Sequence, residues 1–126
     1  MNRLFLLLLV VCSATHAADS ERLASVQRVK VVEAGVVESA SDSKLCRGFR
    51  LSHAAASKIL KHAVVITPNE RHYQFLWSPC FVKGVATVGG RPVQWRIEAL
   101  GLVSVTFEDG VEVLLGDDSQ RVKGGQ

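Results

Sequence analysis

The feature that most constrains this chain of 126 residues is a pair of cysteines, Cys46 and Cys80, the only two outside its apolar N-terminal segment. The stretch between them reads as one amphipathic helix followed by aromatic and β-branched sequence. A bridge between the two would therefore staple a helix to a strand. Closing a loop of that length stabilises a small domain by roughly 4 kcal/mol on the chain-entropy account. A redox or zinc role would need other spacing, because the chain has no CxxC and no histidine close to either cysteine in sequence.

A disulfide presupposes an oxidising compartment, and the N-terminus predicts one. Met1 to Ala17 carries one positive residue, Arg3, then the apolar run Leu4 to Val11, then small and polar residues ending His16-Ala17. That order of charge, short apolar core and small residues is the pattern of a secretory signal, and the run is too short to span a bilayer. Cleavage after Ala17 is expected, giving a periplasmic protein. Cys12 as a lipid-anchoring site is the weaker alternative, because Val10-Val11 precede it where a small residue is needed.

Loss of residues 1–17 leaves 109, enough for one small domain with a modest core. It also removes Arg3, leaving fourteen Lys and Arg against twelve Asp and Glu, a net charge of +2. The charges are scattered, with no basic run, so nucleic acid is not an expected partner. The predicted organisation is a signal over 1–17, an N-terminal strand and loop over 18–44, a helix plus antiparallel meander over 45–116, and a flexible tail over 117–126. The strand and the meander would belong to one domain.

Periodicity supplies the elements. Residues from about Gln27 to Glu33 alternate valine with charge and predict a strand, and Ser39 to Lys44 predicts a loop. Ser52 is an acceptable N-cap. Beyond it Ala55, Ala56, Ile59, Leu60 and Ala63 recur at helical spacing, opposite His53, Ser57, Lys58, Lys61 and His62. Val64 to Thr67 and Pro68 end that helix. Tyr73, Phe75 and Trp77 alternate with Gln74 and Leu76, predicting a strand whose rings lie under the helix or form an aromatic platform. After Ser78-Pro79, residues 81–88 resume in β character, and Gly89-Gly90 signals a hairpin. The returning strand places Val93, Trp95, Ile97 and Ala99 on one face and Gln94, Arg96 and Glu98 on the other. Val103, Val105 and Phe107, the turn Asp109-Gly110 and a last strand complete the meander. The expected fold is α+β: one amphipathic helix packed on an antiparallel sheet of about five strands, with a single disulfide.

No motif specifies a reaction. The chain lacks GxSxG, a P-loop and HExxH, and residues 108–118 lack the alternating oxygen ligands of a calcium loop. His53 and His62, nine positions apart, fall on opposite sides of their helix. No catalytic residue, cofactor or metal is therefore predicted. Two surfaces are candidates for binding a protein partner. One is the polar sheet face bearing Gln94, Arg96 and Glu98 with Ser104, Thr106 and Glu112. The other is the stapled loop, which would expose Trp77 or Phe81 as a rigid aromatic anchor.

The arrangement CRGF, helix, WSPCFVKG and VQWRIEALG, between Cys46 and Gly116, resembles that of small secreted bacterial proteins with a single disulfide. The resemblance implies a domain that binds or neutralises another protein of the cell envelope, and it assigns no functional residue. The expectation is a non-enzymatic periplasmic protein-binding module, such as an immunity or inhibitor protein against a toxin or cell-wall hydrolase. The alternatives are an accessory subunit of envelope assembly that adds a strand to its partner's sheet, and a small hydrolase or metal-dependent enzyme.

Overall fold

The computed structural model describes residues 21–37 and 43–122. The expected signal and Cys12 lie outside the described residues, as does most of the loop expected before the helix. The elements run β1 (Val26–Val37), α1 (Ser43–Cys46), α2 (His53–His62), β2 (Val64–Val65), α3 (Pro68–Gln74), β3 (Cys80–Val88), β4 (Arg91–Glu98), β5 (Leu102–Phe107) and β6 (Glu112–Gly116). A 3-10 turn over Asp118–Gln120 follows. The strands form one antiparallel sheet in the order β1-β3-β4-β5-β6-β2. The domain is thus a mixed α/β structure in which sheet dominates, with six strands and three short helices among the described residues where about five strands and one helix were expected.

The meander forms where the alternation is cleanest. Gly84 faces Trp95 across β3 and β4, and Trp95 faces Val105 across β4 and β5. The inward side chains Val82, Ala86, Val88, Val93, Trp95, Ile97, Val103, Val105 and Leu115 make one apolar cluster. Helix α2 covers it with Ala56 and Leu60, followed by Ala63. The start of α2 is fixed as its sequence predicts, with the Ser52 side chain accepting from the Ala55 N–H at 3.0 Å. Trp95 is only 2% exposed, and its indole N–H donates to the Val85 carbonyl at 2.9 Å. The ring fits because its partner is glycine: a Cβ on Gly84 would lie under 3.0 Å from both the indole and the Lys30 carbonyl.

The sheet is strongly curled. Arg22 forms an antiparallel bridge with Val64 beside β2, yet Val26 begins β1 at the opposite edge. Four residues reach about 14 Å at most, whereas a flat sheet of this order would separate those positions by about 29 Å. Leu23, within the connection, packs on the same cluster as α2, so the curl encloses that cluster. Strand β1 follows the curvature through three register irregularities, the first of which holds Arg28 at φ 54°.

The expected aromatic strand does not exist. Thr67-Pro68-Asn69-Glu70 opens α3 instead, with Pro68 in the first turn and a reciprocal capping box between Thr67 and Glu70 at 3.1 Å each way. The three rings consequently part company. Phe75 is buried against Gly116 on the outer face of the sheet, with Val64, Ile66 and Leu102 around it. Tyr73 and Trp77 are exposed.

Residues 117–122, the described part of the segment expected as a tail, are held against α3. Arg121 donates to Glu70 Oε2 at 2.9 Å, to Asp118 Oδ1 at 2.8 Å and to Gln74 Oε1, and its guanidinium lies 5.2 Å from the Phe75 ring centroid. The Val122 N–H donates to the Gln74 carbonyl at 2.8 Å. This clasp, unforeseen in a segment expected to be flexible, presses α3 onto one corner of the outer face.

The disulfide between Cys46 and Cys80 is formed, with Cα atoms 5.0 Å apart. It joins α1 to the start of β3, so it staples a helical turn upstream of α2 rather than α2 itself.

Candidate functional site

The outer face of the sheet carries the polar residues that alternation assigns to it. Because each strand is in register with the next, they form rows. Lys83, Arg96, Ser104 and Leu114 face one another in order across β3 to β6. Val85, Gln94, Thr106 and Glu112 form the row beside it. Phe81 faces Glu98 at the disulfide end. Together they line an open trough of about 640 Å³, with Val32 contributing from β1 and with Ile66 and Arg71 on the far side.

Arg96 is the organised centre of this surface. Its guanidinium carbon sits 3.7 Å from the Phe81 ring centroid, and Nη2 lies 3.6 Å from Glu98 Oε1. Stacking on a ring and pairing with a carboxylate restrict a long side chain that would otherwise lose much rotamer entropy on binding. Beside it Lys83 pairs with Glu33 at 3.2 Å, both side chains about half exposed, so this second pair contributes little to stability.

Two placements correct the sequence reading. Glu98, expected on a solvated face, is 6% exposed, opposite Phe81 in the ladder and paired with Arg96. Phe81, expected as an exposed anchor on the stapled loop, is buried and forms the floor under Arg96. Gln94 is exposed on the trough, as alternation predicts, and Trp77 is 61% exposed outside it. Ala99, expected to extend the inward face, falls beyond the end of β4.

The structure does not assemble the ionisable side chains that sequence alone left open. The His53 ring lies against the Val29 carbonyl and Val31 N–H of β1. His62 ends α2, and His72 stands edge-on to Tyr73 on α3. Among the described residues no group of three His, Cys, Asp or Glu side chains is placed to hold a metal. The Glu70 carboxyl is held below its ordinary value, pushed down chiefly by the hydrogen bond from Arg121 and by the Thr67 backbone. Arg121 is pushed up in return by Glu70 and Asp118. That pair belongs to the clasp.

Sequence reasoning missed the clasp and Arg71 as a wall of the trough. The capping box at Thr67 and Glu70 was the signal for α3, whereas nothing local marks Arg121 as a partner for residues some fifty positions away.

The fold and its outer face define a curled antiparallel sheet with one face covered by a helix and the other carrying an organised polar surface. Comparison of the chain with protein-family models, with characterised proteins and with solved structures returned no match. No described helix is long and apolar enough to cross a membrane.

Proposed function

We propose that this domain is a non-enzymatic protein-recognition module of the cell envelope, an immunity or inhibitor protein that docks the outer face of its sheet on a toxin or cell-wall hydrolase. The observation that carries the reading is Arg96, held flat on Phe81 and paired with Glu98 at the centre of a four-strand polar trough. Interfaces favour an arginine that is ordered before binding and surrounded by groups that hydrogen-bond. The neighbours Gln94, Ser104, Thr106 and Glu112 offer both donors and acceptors. The N-terminal signal pattern supports an exported protein, and the disulfide is compatible with an oxidising compartment.

An edge-strand mode is less well supported. Strand β1 is bulged, its Gly35 N–H donates to the Phe49 carbonyl, and β2 is two residues long with Arg22 beside it. A β-adding partner needs a longer regular edge.

The test immobilises the oxidised protein, passes envelope and secreted fractions over it, and identifies what is retained. Parallel columns carry Gln94→Lys, Thr106→Arg and Arg96→Ala, each checked for an unchanged circular dichroism spectrum. The expected result is one protein retained at near-stoichiometric level by the parent and lost from all three variants. Equal retention by the parent and the variants would place the interface elsewhere and overturn the assignment.

A further inference from the structure

Two features of the outer face lie at opposite ends of its strands. At the end where β3 begins, α3 covers one corner by setting Phe75 on Gly116 of β6. The chain then crosses from that corner to Cys80 at the start of β3, carrying Leu76 and Trp77 past the ends of the strands between. Both are more than half exposed. At the other end, beside the β3–β4 turn, the same face holds a second hollow of about 620 Å³. Its walls include Val85, Thr87, Pro92, Gln94, Thr106 and Glu108. An exposed leucine and indole at one end are thus matched by a partly apolar hollow at the other.

Charge follows the same arrangement. Lys83, Arg91, Arg96 and Arg121 are paired with Glu33, Asp109, Glu98 and Glu70. Arg71 on α3, and Glu108 and Glu112 where β5 ends and β6 begins, have no ion-pair partner among the described residues. Arg71 therefore lies on the β6 side at one end of the face, and the two carboxylates lie on or next to β6 at the other. Arg28 lines the β1 side of the hollow, four strands from β6, or about 19 Å.

We propose that the outer face pairs with the same face of a second copy of this chain, about a two-fold axis lying across the strands. Such an axis sets each strand over its own counterpart and turns it end for end. Leu76 and Trp77 of one protomer then enter the hollow of its partner, and Arg71 comes over the partner's Glu112 and Glu108. Every contact is made twice, and the assembly closes at two copies. A tryptophan seated in a pocket and an arginine set against carboxylates are contacts that carry much of the energy of an interface. An axis along the strands would set the two aromatic ends side by side and leave both hollows empty. The pairing covers the polar trough, so it excludes the docking proposed above. It does not rest on that reading, and it is read by mass rather than by capture.

The test is sedimentation equilibrium of the oxidised protein over a dilution series, with every variant carrying the same N-terminus. The expected result is a reversible passage from one to two copies as concentration rises. Trp77→Ser abolishes it, and Leu45→Ser, on α1 away from this face, leaves it unchanged. Arg71→Glu and Glu112→Arg each weaken it on the order of tenfold or more. Mixing those two variants restores it, because one contact of the mixed pair is then native and the other is reversed in both partners. A parent that stays a single copy throughout the series would overturn the proposal. So would association that survives Trp77→Ser, or a mixture of the two charge variants that associates no better than either alone.

Discussion

Replacing Gly84 by alanine should be among the most damaging single-methyl additions to this domain. The new Cβ would fall under 3.0 Å from the Lys30 carbonyl oxygen and from two atoms of the Trp95 ring. Neither neighbour can retreat cheaply. Lys30 is held in the β1–β3 ladder opposite Val85, and Trp95 is enclosed by the core with its N–H bonded to the Val85 carbonyl. Overpacking a filled core costs about 1–3 kcal/mol, and an overlap with backbone belongs at the upper end. A destabilisation of about 3 kcal/mol would lower the urea midpoint by about 2 M for a slope near 1.5 kcal/mol per molar. The assay is equilibrium urea unfolding of the oxidised protein, followed by circular dichroism. Gly48→Ala is the control, because a Cβ there meets nothing within 4 Å. Adding Trp95→Phe to Gly84→Ala removes the ring overlap and leaves the backbone one. The double variant should therefore be less destabilised than the sum of the singles by about 1 kcal/mol. A Gly84→Ala midpoint within about 0.3 M of the parent would refute the reasoning, as would strict additivity of the two substitutions.

Two further expectations concern the staple and the clasp. Cys46→Ser should lower stability by about 4 kcal/mol, and reduction of the parent should match it; a negligible shift in the urea midpoint would mean that the bridge does not constrain the unfolded chain. Glu70, held below its ordinary 4.5 by Arg121, contributes stability that is fully present above the unfolded value and is lost as pH falls through the lower folded value. Arg121→Ala and Glu70→Gln should each flatten the stability–pH profile between the unfolded and the lower folded value of Glu70, and an unaltered profile in both would separate the clasp from acid stability.

What was legible in the sequence is what local periodicity encodes. Val93, Trp95 and Ile97 alternate with Gln94 and Arg96 because one sheet face is buried and the other is not. Helix α2 shows its apolar stripe and its Ser52 cap in the same direct way. The polar members of the trough were likewise readable, since strand alternation and short turns place them on neighbouring strands. Tyr73, Phe75 and Trp77 misled because three aromatics at period two also fit the end of a helix followed by extended chain. The capping box Thr67-Pro68-Asn69-Glu70 was the stronger signal and decided the matter. The burial of Phe81 and Glu98, and the pairing of Arg121 with Glu70, arise from residues distant in sequence and leave no local pattern.

The strand order also governs when the domain can be assembled. The central strands β3 to β6 are consecutive, whereas both edges, β1 and β2, come from the first part of the chain. A chain delivered from its N-terminus therefore presents β1, α2, β2 and Cys46 before any strand they pair with. The meander can form as soon as it emerges, because its contacts are local. Strand β1 must wait for β3, β2 must wait for β6, and α2 has no apolar surface to cover until both have arrived. Cys46 stays unpaired until Cys80 follows it, so the first half of the molecule depends on being kept from other partners until Gly116 is out.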